Sequence, residues 1–191
     1  PHELGLRYAG TGGAALPLSM IERFERDFGA QAFQGWGMTE TSPLCVIGRP
    51  LPKHAGLDAA EIDQIKLKQG RGVCGVELKI VDDDGNRLPW DGKAFGEVWV
   101  RGPWIASGYF RGEGGDKLDA EGYFPTGDAG IIDADGHLKT IDRAKVVGKL
   151  AHGALFARAA HRHLDALHHV ERREQALLAR ARRGGLGVLH H

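Results

Sequence analysis

Gln34-Gly35-Trp36-Gly37-Met38-Thr39-Glu40-Thr41-Ser42-Pro43 puts an aromatic ring, two glycines, hydroxyls and a carboxylate into ten consecutive residues. Gly35 and Gly37 carry no Cβ, so the main chain there can approach a flat or phosphorylated ligand closely. Trp36 between them can offer a ring face to a base. The Thr39 hydroxyl can donate to a phosphate oxygen, and Glu40 supplies the hard oxygen that a magnesium ion bridging phosphates prefers. A simpler reading makes the segment a tight surface turn. In that reading Trp36 and Met38 are core anchors, Thr39 caps a helix, and Glu40 is a first-turn charge favoured by the helix dipole. The surrounding sequence separates the two.

Upstream, Gly5 to Gly10 is a short strand candidate running into Thr11-Gly12-Gly13-Ala14-Ala15, a run of small residues with an accessible main chain that suits a planar ligand. Pro17 is placed for a helix start, and Met20, Ile21, Phe24 and Phe28 then recur at helical spacing until Gly29. Gln31 to Gln34 reads as a brief strand that delivers the opening motif. Strand, glycine loop, helix, strand and glycine loop is the order of an α/β layer with ligands at its strand ends.

Downstream, Pro50 to Gln69 reads as a connecting arm in which Asp58-Ala59-Ala60-Glu61 could start a helix over Ile62, Ile65 and Leu67. After Gly70-Arg71-Gly72 the apolar period becomes two: Val76, Leu78 and Ile80 alternate with Glu77 and Lys79 up to a turn at Asp82–Asn86. Gly96 to Arg101 repeats the alternation, and Ile131-Ile132, the turn Asp133-Ala134-Asp135-Gly136 and His137 to Ile141 read as a hairpin. This half predicts a small antiparallel sheet or distorted barrel. Asp128, after Gly127, is a carboxylate of the kind that accepts two hydrogen bonds from ribose hydroxyls, and Arg143 could reach a ribose or phosphate through its planar fork. A plain Thr-Gly-Asp turn and an exposed hairpin end are the alternatives.

At 191 residues and 42% hydrophobic composition the chain can fill a core, as one ordinary domain or two small ones. Formal net charge is zero. Residues 146–191 nevertheless hold eight Lys or Arg against three Asp or Glu, leaving 17 against 22 before them, so the parts carry about +5 and −5. Cys45 and Cys74 make no metal-ligand spacing, and a reducing cytoplasm is the default compartment. No apolar run reaches the roughly 20 residues a membrane-spanning helix needs, and no secretory leader is recognisable. Pro1-His2-Glu3 lacks an initiator methionine, which predicts a start inside a longer polypeptide.

Four signals thus stand in one order: Thr11-Gly12-Gly13-Ala14, Gly35-Trp36-Gly37-Met38-Thr39-Glu40, Tyr123-Phe124-Pro125-Thr126-Gly127-Asp128, and Asp142-Arg143-Ala144-Lys145. Gly96 to Pro103 and Gly108-Tyr109 lie between them. The series resembles the adenylate-forming acyl-CoA synthetases, most of all the medium- and long-chain fatty acid–CoA ligases, over about residues 1–145. The resemblance implies a partial adenylate-forming fold of the α/β class, with a β/α layer over residues 1–70 and an antiparallel distorted barrel over 71–145; the basic tail over 146–191 lies outside the resemblance and reads as helical or disordered. It implies ATP-dependent activation of a fatty acid through an acyl-adenylate, then transfer to coenzyme A, with Mg2+ as cofactor. Carried over by position, Gly12, Gly13 and Ala14 would line the adenine and acyl pocket, and Trp36, where relatives more often carry tyrosine, would lie against adenine beside Gly37. Met38 would border the acyl site, Thr39 would hold a phosphate, Glu40 would ligate magnesium, and Asp128 and Arg143 would clasp the ribose. Adenylation of another carboxylic or amino acid, and nucleotide binding without catalysis, are the alternative functions.

Two departures qualify the match. A Ser/Thr/Gly-rich phosphate loop expected well before Gly12 is outside this sequence, and Val146-Val147-Gly148-Lys149 leads away from the family pattern, so the chain alone is expected to be weakly active or inactive. The tail holds seven of the ten histidines and no aromatic except Phe156, a break in composition that a shifted reading frame would produce. Translation of the other two frames tests this; no family-like sequence after Lys145 in either would refute it. His161, His163, His168 and His169 fit no closed zinc pattern, and Arg172, Arg173, Arg180, Arg182 and Arg183 lack the interleaved aromatics of base stacking, so neither metal nor nucleic acid is expected there. Oligomeric state has no signature in the sequence.

Overall fold

The computed structural model describes residues 5–143, the last two by backbone alone. The expectations for residues 146–191, and for the Arg143 side chain, lie outside what is described. Two four-stranded sheets make up this region. The first has the order β1-β2-β3-β4, with β1 at Tyr8–Thr11, β2 at Gln31–Trp36, β3 at Val46–Ile47 and β4 at Arg71–Gly72. The second is a meander of β5 (Glu77–Val81), β6 (Phe95–Arg101), β7 (Phe124–Ile132) and β8 (Leu138–Arg143), antiparallel throughout.

β1 and β2 are parallel, in register from Tyr8↔Gln31 to Thr11↔Gln34, and α1 (Leu18–Phe28) makes the crossover that a parallel pair requires. Pro17 precedes the first turn with φ −62°, and Gly29 closes the helix at φ 63°, its N–H donating to Glu25 O. The apolar spacing predicts the helix, but only part of the expected face is inside. Ile21 is buried against Leu16 and Ala32 with Ala9 and Phe24 beside it, whereas Met20 and Phe28 are 46% and 60% exposed. The segment read as a connecting arm contains a second helix, α2 (Ala59–Lys66), started by reciprocal capping: Glu61 N–H donates to Asp58 Oδ1 and Asp58 N–H to Glu61 Oε2.

The core joins the sheets. Cys45 and Val46 of the first sheet pack with Leu78, Ile80, Val98, Val100, Phe124, Ile132 and Leu138 of the second. Burial pushes the Cys45 thiol up to about 11, and both cysteines are free. Gly70 and Leu138 exchange backbone hydrogen bonds across the same junction. The alternation in β5 holds for Leu78 and Ile80, but Lys79 is also buried, at 4% exposure. Its ammonium is paired with Asp119, lies 3.4 Å from Glu121 Oε1, and sits 4.4 Å from the Tyr123 ring centroid. Both tight turns use an aspartate as acceptor: Asp82 Oδ1 takes the N–H groups of Asp84 and Asn86, and Asp133 Oδ1 those of Asp135 and His137. Among the described residues no helix is long and apolar enough to cross a membrane.

Candidate functional site

Trp36 ends β2, and its indole N–H donates to Asp128 Oδ2 at 2.8 Å, across 92 positions of sequence. Asp128 reaches it because β7 bulges. Between the partners Glu97↔Ala129 and Trp99↔Pro125, β6 contributes Val98 alone while β7 contributes Thr126, Gly127 and Asp128. Gly127 supplies the left-handed turn with φ 72°. The bulge is stitched on both sides: Thr126 Oγ1 donates to Val98 O at 2.7 Å, and Gly127 N–H donates to Glu97 Oε1 at 3.1 Å. On its other edge Asp128 is the register partner of Arg143 in β8.

Trp36 and Asp128 share a hollow of about 400 Å3 with Gly13, Ala14, Ala15, Gly35, Gly37, Gln69, Thr140 and Ile141. That is enough room for part of a nucleotide-sized ligand. The loop after β1, the end of β2 and the β7 bulge therefore meet at one place. Gly12 is next to this wall rather than in it, with space for a Cβ 3.5 Å from Gly35 O.

Gln69, Thr140 and Ile141 were not singled out in the sequence. Gln69 Oε1 accepts from Thr140 N–H at 2.8 Å, and Gln34 Oε1 accepts from Leu16 N–H at 3.0 Å while Gln34 Nε2 donates to Lys66 O at 3.1 Å. Gln34 and Gln69 are 1% and 8% exposed. A buried amide is kept only where its hydrogen bonds are met, and the burial of these two glutamines has no signal in the sequence.

Beyond Gly37 the chain turns sharply through a 3-10 turn at Thr39–Thr41. Thr41, not Thr39, is the stitch. Its buried Oγ1 accepts from Met38 N–H at 2.8 Å and lies within donating distance of Met38 O and Pro43 O. Met38 and Trp36 pack on the core, which gives them the anchoring role of the simpler reading as well. Met38, Thr39 and Glu40 follow the hollow in sequence but do not line it. Glu40 Oε1 accepts from the Tyr109 hydroxyl at 2.6 Å, and this hydrogen bond pushes the Tyr109 phenol above its ordinary value. No cluster of three or more His, Cys, Asp or Glu side chains able to hold a metal occurs among the described residues.

The model of a family described as AMP-binding enzyme matches residues 2–110. The 3-methylmercaptopropionyl-CoA ligase of Ruegeria pomeroyi is 48% identical over 100 residues, covering 52% of this chain and 19% of that protein. The medium-chain-fatty-acid–CoA ligase of Ectopseudomonas oleovorans is 44% identical over 139 residues, covering 73% of this chain and 25% of the relative. Among solved structures, a long-chain-fatty-acid-CoA ligase (FadD1) from Archaeoglobus fulgidus matches with TM-score 0.58 and 27% identity, over 78% of this chain and 31% of that one. The anthranilate CoA ligase AuaEII, solved with anthranoyl-AMP, also gives TM-score 0.58 at 27% identity, over 73% and 25% of the two chains. The chain thus spans about a fifth to a quarter of the length of these curated relatives.

Proposed function

Because this chain belongs to the AMP-binding enzyme family, we propose that its hollow is the adenylate seat of an acid–CoA ligase. In such a ligase an acid carboxylate attacks the α-phosphate of ATP, releasing pyrophosphate, and the acyl-adenylate then passes its acyl group to the thiol of coenzyme A. The observation that carries this reading is the convergence of the Gly13-Ala14 loop, the Trp36 ring and the Asp128 carboxylate on one space. Asp128 offers acceptor oxygens for ribose hydroxyls, the loop lets main chain approach a planar base, and Trp36 adds an aromatic wall. Charge grows on the nonbridging phosphate oxygens during attack, so the protein's contribution is position and electrostatic stabilisation rather than a covalent nucleophile. In this reading the Thr39 hydroxyl donates to a phosphate.

Glu40 fits a Mg2+ ion. Its carboxylate is a hard oxygen donor, and only Oε1 has a partner among the described residues. When bound, the ion neutralises phosphate charge. Ligands beyond Glu40 would be phosphate oxygens and water. Arg143, opposite Asp128 in the β8 register, completes the ribose clasp in this proposal.

The acid is aliphatic in our reading, because the names of the relatives include a medium-chain fatty acid and a methylmercaptopropionyl group. Calorimetry with a nonhydrolysable acyl-adenylate analogue tests the site: Asp128→Ala should weaken binding at least tenfold, corresponding to about 1.4 kcal/mol. Equal affinity for the two proteins would remove the assignment. Pyrophosphate exchange stimulated by hexanoate through palmitate, or by 3-methylmercaptopropionate, tests the acid. A second reading, adenylate binding without turnover by this chain alone, is favoured by its coverage of a quarter or less of those relatives. Analogue binding with no exchange for any acid would select it.

A further inference from the structure

The segment Trp104–Tyr109 clasps the Gly37–Leu44 loop at four points. Ala106 N–H donates to Glu40 O at 2.8 Å, Ser42 Oγ donates to Trp104 O at 3.1 Å, and the Trp104 indole N–H donates to Leu44 O at 3.3 Å. The fourth point is the Tyr109 hydroxyl on Glu40 Oε1, and it is the one that grips a carboxylate of the loop. The Tyr109 ring is itself braced, edge-on to Phe124 with centroids 6.2 Å apart. Phe124 is buried in the core, so Tyr109 reaches Glu40 from a rigid base.

A glutamate has three side-chain torsions, and a freely rotating carboxylate loses much of that freedom when it holds a cation. Here the phenol O–H has already fixed one oxygen. Among the described residues Oε2 is left with no partner, and no lysine or arginine is paired with the carboxylate to neutralise it. Resting on the reading of Glu40 as a metal ligand, we propose that Tyr109 is a positioning residue for the divalent cation: it holds Glu40 through Oε1 so that Oε2 binds the metal one-sidedly. The hydroxyl does not itself touch metal or nucleotide.

A purely structural role for Tyr109 predicts the same loss in any background; a role exerted through the Glu40 carboxylate does not. The complete chain is titrated with Mn2+·ATP, and binding is read from the enhancement of water proton relaxation, for wild type, Tyr109→Phe, Glu40→Gln and the double variant. Loss of a hydrogen bond to a charged, partly exposed acceptor should raise the Kd of Tyr109→Phe about fivefold, and Glu40→Gln should raise it more than about tenfold. In the Glu40→Gln background Tyr109→Phe should change the Kd less than about twofold, since the coupled pair is already broken. Metal-free AMP should bind wild type and Tyr109→Phe alike. An effect of Glu40→Gln with none of Tyr109→Phe overturns the positioning role and leaves the metal reading standing. Equal losses in both backgrounds also overturn it, in favour of a general structural role. No effect of Glu40→Gln, or no binding of Mn2+·ATP by wild type, overturns the metal reading and this inference together.

Discussion

Gly37 is where the candidate site leaves least space. An alanine Cβ there would lie 1.8 Å from Pro43 O, 2.8 Å from the Pro43 carbonyl carbon and 2.9 Å from Thr41 Oγ1. A carbon–oxygen contact normally closes near 3.3 Å, so the Pro43 carbonyl would have to retreat by roughly 1.5 Å. Backbone cannot swing away as the end of a long side chain can, and the retreat pulls Pro43 O off the Thr41 hydroxyl, now 2.8 Å away. Overpacking of this kind costs about 1–3 kcal/mol, and the disturbed Thr41 hydrogen bonds add about 1 kcal/mol. Gly37→Ala should therefore lose about 2–4 kcal/mol of stability, lowering a urea midpoint by roughly 1–2 M for a slope near 2 kcal/mol/M.

Gly12→Ala is the matched control, because its Cβ meets only Gly35 O at 3.5 Å, an ordinary contact. It should stay within about 0.5 kcal/mol of wild type. Equilibrium urea unfolding followed by far-UV circular dichroism compares the three proteins directly. A Gly37→Ala midpoint within roughly 0.3 M of wild type would show that the loop adapts, and would refute the close approach as a constraint on this site.

Four further substitutions or titrations probe the frame. Lys79→Ala should destabilise by about 2–4 kcal/mol, below the full cost of breaking a buried pair because Glu121 is largely exposed; Asp119→Asn in that background should recover part of the loss, and no recovery would contradict a stranded carboxylate as the cause. Asp58→Ala should cost about 1 kcal/mol and speed amide hydrogen exchange at Glu61, whose N–H it leaves open; unchanged exchange there would contradict the cap. His137 is 1% exposed, and burial pushes its imidazole below the ordinary value. The unfolded chain takes up that proton first, near pH 6.5, so stability should be constant above that pH and fall as pH drops through it. His137→Gln should flatten that slope. Asp135 is held down to about 2 by Lys53 and His54, so its contribution is present above about pH 4 and is lost as pH falls toward 2.

The elements with a strict local signature were readable in the sequence. Pro17 and Gly29 bracket α1, period-two runs mark β5 and β6, and the Asp82 and Asp133 turns announce themselves. What resisted reading depends on neighbours far away in order. Met20 and Phe28 match the helical period as well as Ile21 does, yet Ile21 alone of the three is buried, against Leu16 and Ala32. Lys79 alternates as a solvent-facing residue should, yet Asp119, Glu121 and Tyr123, some 40 positions later, close over it. Gln69 reads as the end of an arm until the Thr140 amide is beside it.

The site shows the same division more sharply. Trp36 and Asp128 read in the sequence as candidate groups of one nucleotide site, but nothing in the sequence made them partners of each other. Their hydrogen bond changes what each can offer: the indole N–H is committed to protein, which leaves Trp36 its ring face, and Asp128 Oδ2 already has a donor before any ribose arrives. The bond also runs from the first sheet to the second, parallel in effect to the packing of Cys45 and Val46 against the strands of the meander. Neither sheet alone contains the hollow, because its loop and ring come from one and its carboxylate from the other. Trp36 itself packs against that core, so the contacts that bury the core also help to set where the Trp36–Asp128 pair stands. A core substitution between the sheets should therefore move the site along with the stability.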